Sequence, residues 1–237
     1  MSKWLVPGLC SCLFGLQLAF LASPLAGEAM KNSTPLPAVA CHFTSRVALR
    51  GQPPQVQEWD WYWWRQPDRV ETQDTEGNTG QIWEVSKNGQ VTYWRAFHKN
   101  KRVIEYTPGD LRALGQYPDW ATITKVIDPT LLTTTLKPVG KEEILGRQAQ
   151  RYQGQVNGVE FEVWWLDREQ VPALVRQVSE TREETLRLKE IHPLQQSPWA
   201  RSQIVDYTRL DYADLGDKES DPFVRSLLHG EARDPAH

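Results

Sequence analysis

The chain has 237 residues, of which 40% are hydrophobic and 24% are charged, and its formal net charge is −3. This length suffices for one domain with a substantial core, and the lack of net positive charge argues against nucleic-acid binding. Two of the three cysteines, Cys10 and Cys12, lie in the N-terminal apolar run and only Cys41 follows it, so we expect no internal disulfide framework.

The N-terminus has the pattern of a secretory signal peptide. Lys3 precedes an apolar run from Trp4 to about Leu25, and small residues follow that run. We expect cleavage after Ala29, which removes residues 1–29, and cleavage after Ala26 is the alternative. An uncleaved anchor is the competing interpretation, because the run is long enough to span a bilayer. Cleavage would give a periplasmic protein without a permanent membrane anchor.

A proline-rich N-terminal segment, residues 30–57, leads into a series of strands. From residue 58 onward, alternating apolar residues and turn residues predict a meander in which consecutive strands pair antiparallel in one sheet. The predicted strands of this first series cover residues 58–65, 69–74, 80–86, 90–98 and 102–106.

The first of these strands contains the sequence EWDWYWWR, with four tryptophans and one tyrosine. Alternation places Trp59, Trp61 and Trp63 on one face of the strand. Arg65 continues that face at its rim, and Trp64 lies on the opposite face. A cation at the rim needs a partner: a carboxylate, a carbonyl of a covering segment, or the polar head of a ligand. A rim salt bridge without a function is the alternative.

A helical insert follows the first series of strands. Pro108 and Asp110 suit the N-terminus of a helix, and Gly115 suits its end. A second helix is predicted over residues 119–126, and a third opens at residue 128. We expect these helices to cover the aromatic face as a lid, with four leucines facing it: Leu111, Leu114, Leu131 and Leu132.

Strands resume after the insert, and Asn157-Gly158 is the strongest hairpin sequence in the chain. Residues 58–212 are therefore predicted to form one α+β domain, a strongly curved antiparallel sheet or half-barrel with helices packed in its mouth. Residues 213–237 are predicted as an acidic C-terminal tail with a short helix. The second series of strands is predicted at residues 142–145, 147–156, 159–166, 172–180, 185–192 and 204–212.

The sequence carries no motif for catalysis or for a cofactor. It lacks the G-x-S-x-G elbow, a glycine-rich phosphate loop, H-E-x-x-H and C-x-x-C. Cys41 and His42 are adjacent, but neighbours on a strand point to opposite faces and cannot act as a pair. The acids of residues 211–221 lack the spacing of a calcium loop and are expected to be solvated. We expect no catalytic residue, no metal and no cofactor.

Aromatic and apolar residues of other strands extend the tryptophan face. Trp83 and Trp94 stand on either side of the Lys87-Asn88-Gly89 turn, where they can form a cross-strand pair. Two interpretations fit this face: a packed core closed by the helices, or the wall of an apolar cavity that the helices fill only in part. The predicted ligand-binding surface consists of Trp59, Trp61, Trp63, Arg65, Trp83, Trp94, Phe161, Val163 and Trp165.

Three segments carry a resemblance to a known family: WRQPDRVE, GQIWEVSKNGQVTYW and FEVWWLDREQVPALVRQV, with the helical insert between the second and third. Together they resemble the periplasmic lipoprotein-carrier superfamily of LolA and LolB, to which RseB-type sensor domains are related. The resemblance covers roughly residues 41–210. It implies a half-barrel that accommodates acyl chains on its concave face. In the carriers, an arginine directly before the strand-ending proline holds the lid closed. Here Gln66 has that position and Arg65 precedes it, a shift that reverses the face.

We therefore predict a bacterial, non-enzymatic binding or carrier protein for a lipid or an acylated protein, held on the aromatic concave face. A protein partner in the cell envelope is compatible with this function. The alternative is a sensor or interaction module with a filled core, in which exposed Trp64 and Trp164 would contact the partner. An enzyme would require a pocket that joins Asp211, Asp214 and Asp217.

Overall fold

The computed structural model describes residues 35–50 and 55–228, which contain a single sheet of 12 strands. The order across the sheet is β12-β6-β5-β4-β3-β2-β1-β11-β10-β9-β8-β7, and only the β6–β12 pair is parallel. The predicted signal peptide, residues 1–29, lies outside the described residues. The strands are β1 (Val39–Leu49), β2 (Gln55–Arg65), β3 (Arg69–Asp74), β4 (Thr79–Val85), β5 (Val91–Phe97), β6 (Arg102–Tyr106), β7 (Lys137–Ile144), β8 (Arg147–Val156), β9 (Val159–Leu166), β10 (Val171–Val178), β11 (Arg182–Pro193) and β12 (Thr208–Asp211).

The predicted fold class, an α+β half-barrel with a curved and mostly antiparallel sheet, is confirmed. Strands β3, β6, β8 and β9 have the predicted bounds. The sheet begins before residue 58, however, because β1 lies inside it between β2 and β11. Alternate residues of β1, Cys41 and Phe43 among them, are fully buried, so this strand contributes to the core. Strand β12 is shorter than the predicted residues 204–212.

Short helices form the insert between β6 and β7. Thr107 and Asp110 cap the first helix reciprocally, each side chain accepting from the other's backbone N–H, and Asp119 caps the second. We call residues 107–136 the lid. Its helical elements are α1 (Pro108–Ala113), α2 (Trp120–Lys125) and a π-helical turn (Leu131–Thr135).

The lid packs against one face of the sheet, which we call the inner face. The sheet curls around the lid, since β8 also approaches it: a Cβ at Gly154 would lie only 2.9 Å from Cδ2 of Leu136. None of the helices within the described residues is long and apolar enough to cross a membrane. One row of inner residues, read from the strand register, runs across β1 to β5 as Cys41, Trp63, Thr72, Gln81 and Arg95.

The opposite, outer face is crossed by an extended segment, residues 194–207, which begins with a 3-10 turn (Leu194–Gln196). We call this segment the strap. Its Trp199 ring stacks on the Tyr62 ring, with 4.8 Å between centroids. The strap leads to β12, which pairs with β6 at the sheet edge.

The C-terminal part of the described chain docks on the sheet. A 3-10 segment (Tyr212–Lys218) and α3 (Pro222–Leu228) follow β12, and α3 agrees with the predicted short helix. Val224 is fully buried, and the Phe223 ring meets Phe97 edge-on at 5.1 Å. Residues 213–228 are therefore packed against the domain.

Candidate functional site

The predicted aromatic surface is largely one cluster on the inner face. Trp59 lies at its edge and is only half-buried. The remaining members stand within the buried core or at its rim, with exposed fractions of 7% or less: Trp61, Trp63, Arg65, Trp83, Phe161, Val163 and Trp165. Beneath the lid, therefore, these side chains are packed.

The placement of Trp94 on this surface was wrong. The hairpin register pairs Trp83 with Tyr93, whereas Trp94 pairs with Ile82 on the outer face. The reason is the length of the turn: Val85 opposes Val91, so the residue opposite Trp83 is two positions beyond Val91. The Trp83 and Tyr93 rings stack with 4.2 Å between centroids. Tyr93 thus has the role predicted for Trp94.

The lid contacts the inner face through all four predicted leucines. Leu111 and Leu131 are buried, and Leu114 and Leu132 pack against the same core in partly buried positions. Sequence reasoning did not single out the further apolar residues of the lid that are buried in this core. They are Ile123, Val126, Ile127 and Leu136.

Arg65 joins the lid to the sheet. Its side chain is completely buried, and the guanidinium donates only to backbone carbonyls: those of Pro37 (3.0 Å), Thr124 (2.7 Å), Gln170 (3.0 Å) and Glu169. Burial lowers the pKa of the guanidinium to about 10. The predicted partner, a carbonyl of a covering segment, is therefore present, and it belongs to helix α2.

Two buried indole N–H groups lie on the inner face without an acceptor. Within the described residues, Nε1 of Trp63 and Nε1 of Trp83 have no hydrogen-bond partner. By contrast, Nε1 of Trp61 donates to Oγ of Ser45 at 2.8 Å. An unpartnered buried donor costs roughly 1–3 kcal/mol. The burial of Trp63 and Trp83 in this core is thus less favourable than their apolar contacts alone would make it.

The lid also contains a strained residue. Val126 ends α2 with a φ of 69°, in the left-handed region, although its β-branched side chain disfavours that conformation. Such a conformation costs on the order of 1–3 kcal/mol. Because Val126 lies two residues after Thr124, the strain is next to the point where Arg65 holds the lid.

Cys41 and His42 lie on opposite faces, as predicted. The Cys41 thiol is fully buried, and burial raises its pKa far above the ordinary value. His42 contacts the ring of Trp199 on the outer face, and its nitrogens lie 3.8 Å from Asp60 and 3.7 Å from Glu190. The two side chains share no site.

An open cleft of about 380 Å³ lies on the inner face beside the buried cluster. It is bounded by β2, β3, β4 and β5. The residues that line it are Glu58, Trp59, Asp60, Trp61, Thr72, Gln73, Asp74, Thr75, Glu76, Thr79, Gly80, Gln81 and Arg95. Sequence reasoning found only its tryptophans, although the parity of the paired strands places Thr72, Gln81 and Arg95 on the tryptophan face.

Of the two tryptophans that an interaction module would expose, Trp64 is covered and Trp164 is partly accessible. Trp64 is 2% exposed, and its Nε1 donates to Ser197 of the strap at 3.2 Å. Trp164 is half-buried, and its Nε1 donates to Glu162 at 2.8 Å. The strap therefore covers Trp64, whereas part of the Trp164 ring remains accessible.

The C-terminal acids form no metal site in the described chain. No group of three or more His, Cys, Asp or Glu residues there could hold a metal ion. Asp214 pairs with Lys218 (3.8 Å), and Asp221 pairs with Arg102 (3.3 Å). These acids balance nearby cations.

No protein-family model and no curated protein matches the chain. Solved structures do match: PNGF-II is 12% identical over 78% of this chain and 33% of its own, with a TM-score of 0.40. MucB of Pseudomonas aeruginosa, in its complex with MucA, is 13% identical over 71% and 54%, with a TM-score of 0.36. A LolA superfamily protein from Nitrosomonas europaea is 10% identical over 70% and 89%, with a TM-score of 0.35.

The chain spans about a third of the PNGF-II chain and about half of the MucB chain. The LolA superfamily, which the sequence resemblance named, is among the matches. At these identities and TM-scores the likeness is one of fold alone.

Proposed function

We propose that this protein binds an acylated or otherwise amphipathic molecule between the inner face and the lid, and that it carries or reports this ligand without changing it chemically. The observation that carries the proposal is the way in which the lid is held. Its apolar side chains share one buried core with the aromatic surface, and Arg65 bonds it through one carbonyl. Helix α2 ends in a strained residue, and two indole N–H groups of the same core lack acceptors.

Opening the lid would leave Arg65 most of its acceptors. Of the four carbonyls that Arg65 bonds, only that of Thr124 belongs to the lid; those of Pro37, Glu169 and Gln170 belong to the strands' flanking segments. Arg65 could therefore release the lid and still keep three acceptors. One neutral hydrogen bond contributes about 1 kcal/mol, somewhat more when the donor is charged.

A ligand would replace what the lid supplies. The leucines and isoleucines of the lid present aliphatic groups to the tryptophans, and an acyl chain presents the same chemistry. Each buried methylene contributes about 0.8 kcal/mol. A carbonyl of an ester or amide in the ligand would in addition give Trp63 or Trp83 the acceptor that each lacks.

The signal peptide expected at residues 1–29 supports a periplasmic location for this activity. There the ligand would be a lipid or an acylated protein of the cell envelope. Its delivery or detection would involve a protein partner in the same compartment.

The test is native mass spectrometry of the mature protein purified from the periplasm, followed by organic extraction and by titration with a fluorescent fatty acid. We expect a co-purified acyl species, and uptake of the probe that Trp63→Ala abolishes while the protein stays folded. Trp199→Ala, on the outer face, is the matched control and should bind normally. An apo mass together with no probe uptake would refute the proposal.

A sensor or interaction module with a filled core is the second candidate, and the close packing beneath the lid favours it. In that case the purified protein would bind no acyl probe even with the lid released by Arg65→Met. The same titration therefore separates the two functions.

A further inference from the structure

The open cleft has a chemistry different from that of the surface beneath the lid, and this difference concerns the head of the proposed ligand. Its volume of about 380 Å³ is in the range of small-molecule sites. Two tryptophans from β2, Trp59 and Trp61, form one side. Thr72, Gln81 and Arg95, from three successive strands, bring polar groups to the other.

The cleft offers both an aromatic ring and neutral hydrogen-bonding groups. Trp59 is half-buried, so part of its indole remains accessible. Within the described residues, no hydrogen bond engages the side chains of Thr72 or Gln81. An alkyl chain in this cleft would bury a hydroxyl and an amide without partners, which is unfavourable.

The charges around the cleft disfavour an anion. Four acidic residues line it, Glu58, Asp60, Asp74 and Glu76, and Arg95 is the one cation among the described lining residues. A phosphate or sulfate head would enter a field of mostly like charge.

Three of these carboxylates are already engaged within the protein, so the cleft is not prepared for a cation either: Asp60 accepts a hydrogen bond from Oγ1 of Thr44 on the outer face. Asp74 accepts from the backbone N–H groups of Asn78 (3.0 Å) and Thr79 (2.6 Å). Glu76 accepts from Nδ2 of Asn78 at 2.7 Å. A neutral group that stacks its C–H face on an indole and exchanges hydrogen bonds through hydroxyls suits this lining best.

The cleft adjoins the surface beneath the lid. Thr72, Gln81 and Arg95 lie in the same row across the strands as Trp63, which is fully buried. A head group bound in the cleft therefore has its attached chain next to the aromatic face that the lid covers.

Resting on the proposed function, we infer that the cleft binds the neutral, hydroxyl-rich head group of an amphiphile, of glycosyl type, while the apolar chain lies under the lid. Trp59 supplies the stacking surface. Gln81 and Thr72 supply hydrogen bonds to hydroxyl groups.

The test compares amphiphiles that share a twelve-carbon chain and differ only in the head: dodecyl maltoside, dodecylphosphocholine and dodecyl sulfate. Binding to the folded protein is measured calorimetrically below each critical micelle concentration, with free maltose as a fourth titrant. We expect the maltoside to bind about tenfold tighter than the other two, because the loss of one or two hydrogen bonds corresponds to a factor of that size.

Gln81→Met removes the amide and keeps the length of the side chain. It should weaken maltoside binding about tenfold and leave dodecylphosphocholine unaffected. Gln155→Met, on β8 far across the sheet from β4, is the matched control. It should change neither the affinity for dodecyl maltoside nor the affinity for dodecylphosphocholine.

Failure of this inference differs from failure of the proposed function. Equal binding of all three amphiphiles, unchanged in Gln81→Met, would overturn the head-group site and leave the carrier function standing. Binding of maltose alone, lost in Gln81→Met, would support the head-group site and overturn the carrier function. Binding of none of the four would overturn both.

Discussion

The two faces of the sheet are covered in different ways. The lid on the inner face consists of two six-residue helices and a π-helical turn, held by apolar side chains and by Arg65 through one carbonyl. The strap on the outer face is extended chain held by side chains along its length: Ser197 bonds Trp64, Arg201 pairs with Glu71 (3.0 Å), and Ser202 bonds Gln73 (2.9 Å).

This difference indicates which cover can move. The strap is fixed by several independent side-chain contacts, so that no single change would detach it. Arg65 bonds the lid through one carbonyl next to the strained Val126, and the short helices of the lid gain little stability by themselves. We therefore expect ligand entry on the lid side, with the strap serving as part of the rigid scaffold.

Removal of the lid attachment should have the largest effect. Arg65→Met leaves buried carbonyls without their donor, and we expect the free energy of unfolding to fall by about 3 kcal/mol or more. Urea unfolding measures this loss, and hydrogen exchange should become faster in residues 107–136 before the rest of the sheet. Arg112→Met, an exposed change in the same lid, should stay within about 0.5 kcal/mol.

If Arg65→Met destabilised the strap and the lid to the same extent, the distinction between a movable and a fixed cover would be wrong. Uptake of a fluorescent fatty acid gives a second reading of the same variant. A released lid should raise the rate of uptake, whereas a filled core would leave it at zero.

Trp199→Ala tests the strap with the next largest effect. The Trp199 ring contacts Tyr62, His42 (5.7 Å) and His192 (5.3 Å), and its loss should cost about 2 kcal/mol. The remaining contacts of the strap should keep it on the outer face. Faster probe uptake in this variant would contradict the proposal that only the lid controls access.

The sequence predicted the fold class and several strands but not the site. Alternation predicted the bounds of four strands and the inner position of Trp61 and Trp63, because period-two patterns are local. It missed the cleft, since Thr72, Gln81 and Arg95 meet only through pairing of three strands. The face on which Trp94 lies depended on a single residue in the length of the turn. The position of the strap depended on contacts between residues more than 120 positions apart in sequence, such as Ser197 with Trp64.

Arg65 illustrates the same limit. Its parity on β2 correctly predicted a place beside Trp63, and a carbonyl of a covering segment was one of the three partners that the sequence left open. The sequence could not identify Thr124 as that partner, because the approach of α2 to β2 is a tertiary contact. It also could not reveal that three other carbonyls would satisfy the remaining N–H groups.

A matched pair of tryptophan variants gives a smaller effect within the inner face. Trp61→Phe removes an N–H that donates to Ser45, whereas Trp63→Phe removes an N–H without an acceptor. Both lose similar apolar area, so Trp61→Phe should be the more destabilising by about 1 kcal/mol in urea unfolding. Trp63→Phe should in turn weaken the binding of an ester-containing probe more than Trp61→Phe does. Equal losses of stability would mean that Nε1 of Trp63 is satisfied in solution.

The last prediction concerns the dryness of the space under the lid. Burial raises the pKa of the Cys41 thiol, and nearby Arg65 acts in the opposite direction. The unfolded thiol ionises near pH 8.5, so the stability that the buried neutral thiol contributes is complete below about pH 8.5 and is lost above it, at up to about 1.4 kcal/mol per pH unit. Urea unfolding between pH 8 and 9.5 under reducing conditions should show this decline, and Cys41→Ala should remove it. The interval ends below the pKa of about 10 for Arg65, whose lowered value acts with the opposite sign.

A thiol reagent should leave native Cys41 unmodified and should react once Arg65→Met has loosened the lid. If the free energy of unfolding declined with pH at the same slope in the native protein and in Cys41→Ala, water would already reach the inner face. Rapid modification of the native thiol would have the same meaning: the lid does not close that face.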